Sequence, residues 1–476
     1  MRPAGNRDGG IAGEARRATL ARLRDRFGDR LSENPSLREQ HGNTLSEVPN
    51  QPPDAVVFPT STGEVAEIVR ACAVHRVPVI PFGTGTSFEG HVNAPFGGVS
   101  VDTARMKRII AVDEADLDVR VEAGVTRAEL NNAIRDRGLF FPIDPGTDAS
   151  LGGMAATRAS GTNAVRYGTM KDNVLSLTAV LASGEILRTG ARARKSSAGY
   201  DLTRLIVGSE GTLGVITELT LRLYGLPEAI AGGVSAFPSV RAACEAVIAT
   251  IQMAIPIARI ELLDEVQARA CRAYSKLDLP DGALLFLEFH GSPAGVAEQS
   301  ARFAEIAVEF GGGRFEWATR PEERSRLWQE RHDAYWAARA LRPEAKGIST
   351  DVCVPISSLA DCVEATRADA AAHGLVAPIV GHVGDGNFHV LPLIDFANPA
   401  EVETGRAFVD RLVRRAIDCG GTSTGEHGVG QSGLRYLEWE FGGPALQAMR
   451  AIKRALDPHD IMNPGKLPGR FATVEH

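Results

Sequence analysis

The sequence predicts an α+β protein built in two parts, and three observations carry that reading. The chain has 476 residues, too many for one ordinary hydrophobic core. Its first half alternates strand and helix patterns and is unusually dense in glycine. Beyond Pro227 the glycine-rich segments give way to strands interleaved with long helical runs, the pattern of a sheet covered by helices.

Taken in order, "PDAVVFPTSTGEVAEIVRACAVHRVPVIPFG" reads as strand, helix, strand, with Ser61 and Glu64 as a capping-box signature. "GGVSVD" and "LDVRVEAGV" read as further strands, and a helix starts at Thr126 with Glu129 three residues on. The alternation in "GTLGVITELTLRL", residues 211–223, marks a strand that closes this unit. In the second part "IARIELLD" and "ALLFLEFHG" are strands, and 321–341 and 399–418 are helices. Glycine returns at 420–433, and the tail "LDPHDIMNPGKLPG" reads as a segment returning to another surface. The expected organisation is an N-terminal extension over 1–50, a first domain over 51–227, a second over 228–420 and a returning segment over 421–476.

Hydrophobic content of 44% and charged content of 23% are those of a soluble globular protein. A formal net charge of −7 argues against a nucleic-acid surface and offers no polybasic membrane patch. No run of 18 apolar residues occurs, so no transmembrane segment is expected. The N-terminus carries several Arg but also Asp8 and Glu14 and lacks an apolar signal core, so it reads as a soluble extension, with a transit peptide as the alternative. None of the six cysteines forms a C-x-x-C pair, which disfavours a structural zinc or an iron–sulfur cluster in this chain. Scattered thiols fit a reducing compartment.

Four glycine-rich segments stand out: "PFGTGTSFEGHV" (81–92), "DPGTDASLGGMAATRASGTNAVRYGTMKDNV" (144–174), "VGSEGTLGVIT" (207–217) and "GGTSTGEHGVGQSG" (420–433). Plain tight turns explain any one of them. Together they suit an extended, phosphate-bearing cofactor, because glycine lets backbone N–H groups approach closely and Thr and Ser add hydroxyl donors. The loop 83–87 follows an apolar strand as a diphosphate loop would, but no Gly-Lys-Ser/Thr follows, so it is not a Walker loop. Gly428-Val-Gly430-Gln-Ser-Gly433 matches G-x-G-x-x-G and Gly421-Thr-Ser423-Thr-Gly425 matches a nucleophile elbow. Both follow a helix where a strand is required, and both are rejected.

The segment "GHVGDGNFHV", 381–390, places two histidines seven apart around Gly-Asp-Gly. A two-residue hairpin turn at Asp385-Gly386 would oppose His382 to His389 on one face. Such a pair either converges on one metal ion or forms two hydrogen-bonded, partly buried side chains.

Taken together, the ordered glycine-rich segments resemble the FAD-linked oxidases of the vanillyl-alcohol oxidase and p-cresol methylhydroxylase type. Within that superfamily they are most similar to the D-lactate dehydrogenase (cytochrome), glycolate oxidase large subunit and D-2-hydroxyglutarate dehydrogenase group. The likeness runs from about residue 50 to 468. It implies a two-part α/β FAD-binding domain and an α+β cap domain with an antiparallel sheet. It also implies FAD contacts from Pro81, Gly83, Thr84, Gly85, Thr86 and Ser87, and from Pro145, Gly146, Thr147, Asp148, Gly152 and Gly153. Further contacts are implied from Ser160, Gly161, Arg166, Tyr167 and Gly168, from Gly211, Gly214, Val215 and Ile216, and from Asn463. His91 lies beyond the loop where covalent attachment would be expected, so the FAD is expected to be non-covalent.

The same resemblance implies that His382, His389 and Glu426 hold a divalent metal, zinc or manganese, with positions left open for substrate oxygens. His427 would then take the hydroxyl proton of a 2-hydroxy acid, with its pKa near working pH. Arg331, Tyr335 and Lys346 would line the substrate pocket, with Arg331 holding the carboxylate; a solvated helix face is the other reading of Arg331. The D-2-hydroxyglutarate enzymes carry a small polar residue in place of Tyr335 and an Asn in place of Leu391. Those departures point to a substrate without a second carboxylate, D-lactate above all. The acceptor would be external: cytochrome c, a quinone, an electron-transfer flavoprotein or an iron–sulfur subunit. A homodimer and a cytoplasmic location, peripheral to the inner membrane, complete the expectation. A mononuclear iron oxygenase is the rival reading of two His and a carboxylate.

Overall fold

In the computed structural model, the residues described are 11–43, 48–275, 279–313, 316–318, 321–332 and 334–469. Three sheets organise the chain. The first has the order Leu31–Ser32, Ala55–Val57, Val99–Asp102, Val79–Phe82, parallel among the last three and antiparallel at the first. The second is antiparallel throughout: Ile109–Asp113, Asp118–Glu122, Val215–Arg222, Val174–Val180, Ile186–Arg188. The third, with seven strands, runs Glu316–Ala318, Ala229–Phe237, Ala283–Gly291, Arg259–Leu263, Ile379–Gly381, Asn387–Val390, Val352–Cys353, again antiparallel. Helices Val240–Gln252, Pro293–Glu309, Leu359–Ala372 and Pro399–Asp418 cover its apolar face, burying Phe237, Phe289, Phe303, Phe388 and Phe408.

Local signals explain the helix starts. Thr126 accepts from the Glu129 N–H and the Glu129 carboxylate accepts from the Thr126 N–H, the complete capping box expected there. At Ser61 only half of the box forms: its hydroxyl accepts from the Glu64 N–H, while the Glu64 carboxylate accepts from the Arg30 guanidinium and the Thr60 N–H. The helix Pro399–Asp418 matches its expected bounds, with Asn398 as its cap.

Three expectations meet a different structure. The run 321–341 is two helices, Pro321–His332 and Ala334–Ala340, with residue 333 outside the described residues. Residues 1–10 of the expected extension also lie outside them, but 11–32 join the first unit. Leu20, Leu23 and Phe27 of the helix Ile11–Phe27 pack into its core, and Leu31–Ser32 pairs with Val56 and Val57.

The third difference concerns the histidine hairpin, which has no two-residue turn. Val380 pairs with His389 and Ile379 with Val390, so His382 sits in the connection, ahead of a 3₁₀ turn over Val383–Asp385. The register has moved by two residues, which preserves the face because side chains alternate with period two. Gly386 ends the turn at φ +80°, and a Cβ there would collide with the Val354 carbonyl oxygen. Among the described residues no helix is long and apolar enough to cross a membrane.

Candidate active site

One cavity of about 970 Å³ is lined from all three glycine-rich segments of the first part, from the second part and from the returning tail. Its first wall holds Pro81 to Phe88, Pro145 to Thr147, Gly152, Gly153, Ser160, Gly211, Gly214, Val215, Ile216 and Asn463. The stretch Pro81–Phe88 contributes two threonines and a serine to this wall and no charged side chain. A Cβ at Gly146 would meet no atom within 4 Å, so the wall stands open where a side chain would fill it. Close backbone approach and neutral hydroxyl donors suit a diphosphate. The residues present therefore fit FAD.

Five of the expected cofactor residues do not line the cavity, and each has another partner. Asp148 accepts from the Ala128 N–H in the first turn of Arg127–Ile134. Gly161 packs against Asp144, and Gly168 ends a short helix at φ +75°. The Arg166 guanidinium donates to the Pro256 carbonyl, and the Tyr167 hydroxyl meets His290 Nδ1 at 2.8 Å.

The second wall carries the charged chemistry. His382, His389 and Glu426 offer ligand atoms that all lie within 4.8 Å of one another. His382 Nε2 lies 3.1 Å, and His389 Nε2 3.4 Å, from the same Glu426 oxygen. The other nitrogen of each ring is held from behind. His382 Nδ1 lies 2.7 Å from Glu261, and His389 Nδ1 lies 3.0 Å from the Thr350 carbonyl. That arrangement orients both rings and aims both Nε2 atoms at Glu426, the way outer partners orient metal-ligating histidines. Two imidazoles and a carboxylate with open sides fit a divalent cation.

Two buried carboxylates behind this triad gave no motif in the sequence. Glu261 lies between His382 and Arg331, whose Nε and Nη2 donate to it at 3.0 and 2.8 Å. Asp351 accepts from the N–H groups of Glu426 and His427 and from the Thr424 hydroxyl, all on Oδ2, and from Asn387 on Oδ1. Asp351, His389 and His427 form a second convergent triad. With four donors already on Asp351, a cation there would have to displace them, so the Glu426 triad is the better seat. One sequence signal existed for Glu261: it is the single charged residue between Ile260 and Leu263 of an otherwise apolar strand segment.

Burial and charge set the protonation. Burial alone would raise the Glu261, Asp351 and Glu426 carboxyls, but the histidines and Arg331 around them hold all three below their ordinary values. Burial would lower His382, yet Glu261 and Glu426 raise it well above 6.5. For His427, burial is likewise outweighed by Asp351, Glu89 and Glu426, and its pKa stands at about 9. This departs from the expected value near working pH, because the ring lies among three carboxylates. A cation on Glu426 would oppose that rise. His427 stacks on His389, centroids 5.1 Å apart, and its Nδ1 lies 3.4 Å from Glu89.

Arg331, Tyr335 and Lys346 all line the cavity. Arg331 is not a free cation, because Glu261 takes two of its N–H groups. Arg339, which sequence reasoning missed, lines the same wall eight residues further along. Ala334, Tyr335, Ala338 and Arg339 share one face of the helix Ala334–Ala340, and Arg331 lines the cavity from the helix before it. Tyr335 is 38% exposed and makes an edge-on contact with Trp336, and Leu391 also lines the cavity.

A glycine-lined cavity fused to a His-His-Glu centre defines the class. The family model described as FAD linked oxidases, C-terminal domain, matches residues 226–467, and an FAD binding domain matches 53–190. The chain belongs to the FAD-linked oxidase family. It is 51% identical over 435 residues to the probable mitochondrial D-lactate dehydrogenase of Danio rerio, covering 91% of this chain and 88% of that one. It is 46% identical to the mitochondrial D-lactate dehydrogenase [cytochrome] of Arabidopsis thaliana, covering 94% and 79%. To glycolate oxidase subunit GlcD of Bacillus subtilis it is 36% identical, covering 87% and 89%. Solved structures share the fold: 4-ethylphenol oxidase from Gulosibacter chungangensis (TM-score 0.77, 20% identity, 96% and 98% covered) and p-cresol methylhydroxylase (0.74, 18%, 96% and 97%).

Proposed function

We propose that this protein is an FAD-dependent, metal-assisted dehydrogenase of D-2-hydroxy acids, D-lactate first, which passes electrons to an external acceptor. The observation that carries the reading is the pair of histidines, each held at Nδ1 and aimed by Nε2 at Glu426, inside a cavity whose other wall fits FAD. The names of the relatives support lactate and its D hand.

When bound, FAD supplies the two-electron acceptor, and a zinc or manganese ion supplies a Lewis acid that lowers the pKa of a substrate hydroxyl. This chain's residues do the rest. His382, His389 and Glu426 hold the cation, with Glu261 and Thr350 fixing the two rings. With a cation on Glu426 opposing the rise in its pKa, a neutral His427 would keep its proton on Nδ1 toward Glu89, which leaves Nε2 to take the hydroxyl proton. The second hydrogen leaves C2 with the electron pair, so the alcohol becomes a 2-oxo acid. The N–H edge of Arg331 not taken by Glu261, together with Lys346, meets the substrate carboxylate. Tyr335 and Leu391 fill space that a distal carboxylate would need, which disfavours D-2-hydroxyglutarate.

Steady-state kcat/KM with an artificial acceptor tests the substrate. The reading expects D-lactate to exceed L-lactate, glycolate and D-2-hydroxyglutarate, and a preference for either of the last two would replace it. The mitochondrial relatives make that compartment a rival to the cytoplasm; the natural acceptor and a homodimer remain part of the proposal.

A further inference from the structure

The turn that carries Glu426 and His427 is gripped from both halves of the molecule. From the second part, Asp351 takes the N–H groups of Glu426 (2.7 Å) and His427 (2.8 Å). From the first part, Glu210 takes those of Val429 (2.6 Å) and Gly430 (2.9 Å), one on each carboxylate oxygen. Four backbone donors in five residues are thus bound by two buried carboxylates whose positions in the chain differ by 141. Gly428, between the two pairs, stands at φ +82°, and a Cβ there would lie 2.8 Å from both Glu210 Oε1 and His91 Nε2.

Glu210 is itself built into the cofactor wall. It is 5% exposed and adopts a positive φ of 55°, unusual for a residue with a side chain. Its N–H donates to the Ala156 carbonyl, and its own carbonyl accepts from Asn463 Nδ2 at 2.7 Å. Asn463 also donates to the His91 carbonyl, and His91 Nε2 lies 3.3 Å from the Glu210 carboxylate. Glu210, His91, Asn463 and the adjoining Gly211 all line the cavity. Backbone strain held by so many contacts is characteristic of functional positions.

We infer that Glu210 is a positioning residue that ties the metal-binding turn to the cofactor wall, so that Glu426 and His427 reach their places only while Glu210 holds the two N–H groups beyond them. The inference rests on the proposed metal site for its consequence, though not for its geometry. A glutamine at 210 keeps the size but loses the charge. With its carbonyl oxygen in the place of one carboxylate oxygen, its NH₂ would stand in the place of the other, facing an N–H group. An aspartate keeps the charge and shortens the reach.

The test compares wild type, E210Q and E210D as FAD-loaded proteins, with FAD content read by absorbance. Hydrogen exchange is followed in peptides spanning 425–433, and Mn²⁺ affinity is measured by direct titration. With FAD content unchanged, E210Q is expected to lose protection selectively in 425–433 and to bind Mn²⁺ about 10–100-fold more weakly, the usual effect of removing an outer-shell partner. Its kcat should fall while KM stays within about threefold, since Arg331 and Lys346 are untouched. E210D should fall between the two. Wild-type exchange and kcat in folded E210Q would overturn the inference. If E210Q fails to fold, E210D carries the same decision, and wild-type exchange there overturns the inference too. Wild-type protein that binds no Mn²⁺ would sink the metal reading alone, because the exchange result still decides for or against Glu210.

Discussion

The two walls of the cavity are made of opposite materials. The wall from Pro81–Ser87, Pro145–Thr147, Gly211 and Gly214–Ile216 is rich in glycine and carries neutral hydroxyls, with its charged group, Glu210, turned toward the Glu426 turn. The other wall works by particular side chains: Arg331, Arg339, Lys346, His382, His389, Glu426 and His427. Buried carboxylates behind it, Glu261 and Asp351, orient what faces the cavity. A bulky, extended cofactor needs shape and many weak donors, whereas a small hydroxy acid needs a few strong groups at fixed angles. Damage to the two walls should therefore differ in kind.

The largest effect should come from His427→Gln. On the proposed role of His427 as proton acceptor, kcat is expected to fall by about 10²–10⁴ while the flavin spectrum stays intact, as read by stopped-flow reduction. Loss of flavin in that variant would contradict the division of labour. Asp351→Asn should come next, weakening metal binding about 10–100-fold, measured by Mn²⁺ titration, with FAD content unchanged. Gly211→Ala attacks the other wall. At φ +73°, with Pro81 Cγ 2.7 Å from the new Cβ, it should weaken FAD about tenfold, from roughly 1–2 kcal/mol of backbone strain. Metal affinity should hold in that variant.

How much of this was legible in the sequence follows from the same contrast. The cofactor wall announces itself, because glycine and hydroxyl residues cluster in short ordered segments and most of those residues line the cavity. The triad was also legible, since His382, His389 and Glu426 do converge. What held them was not. Glu261 and Asp351 come from 121 residues before His382 and 75 before Glu426, and only the antiparallel order of the seven-stranded sheet brings them there. Hairpin geometry misled by two residues, because a 3₁₀ turn replaced the two-residue turn. The pairing of Arg331 with Glu261 was not legible, because the strand carrying Glu261 is remote in sequence.

Smaller effects separate stability from chemistry. The Glu64 carboxyl, held by the paired N–H groups of Arg30 against the cost of its burial, has its pKa lowered from 4.5 to about 2. A depressed carboxyl stabilises the fold above its unfolded value and loses that contribution as pH falls through the folded one. Glu64→Gln should therefore cost about 2 kcal/mol at pH 7, and the gap should narrow between pH 4.5 and 2 in denaturant melts. Thr126→Ala, which opens the capping box, should cost about 1 kcal/mol and leave kcat alone. A change in kcat there would mean the helix Arg127–Ile134 reaches the chemistry.

The most direct measurement is an anaerobic visible spectrum of the purified protein, taken with D-lactate and then L-lactate, before and after chelation. The account predicts flavin bands that bleach with D-lactate alone, fail to bleach after the metal is stripped, and bleach again when Mn²⁺ or Zn²⁺ is restored. Bleaching that ignores chelation would remove the metal from the reaction. No flavin bands, even after reconstitution with FAD, would contradict the account at its root.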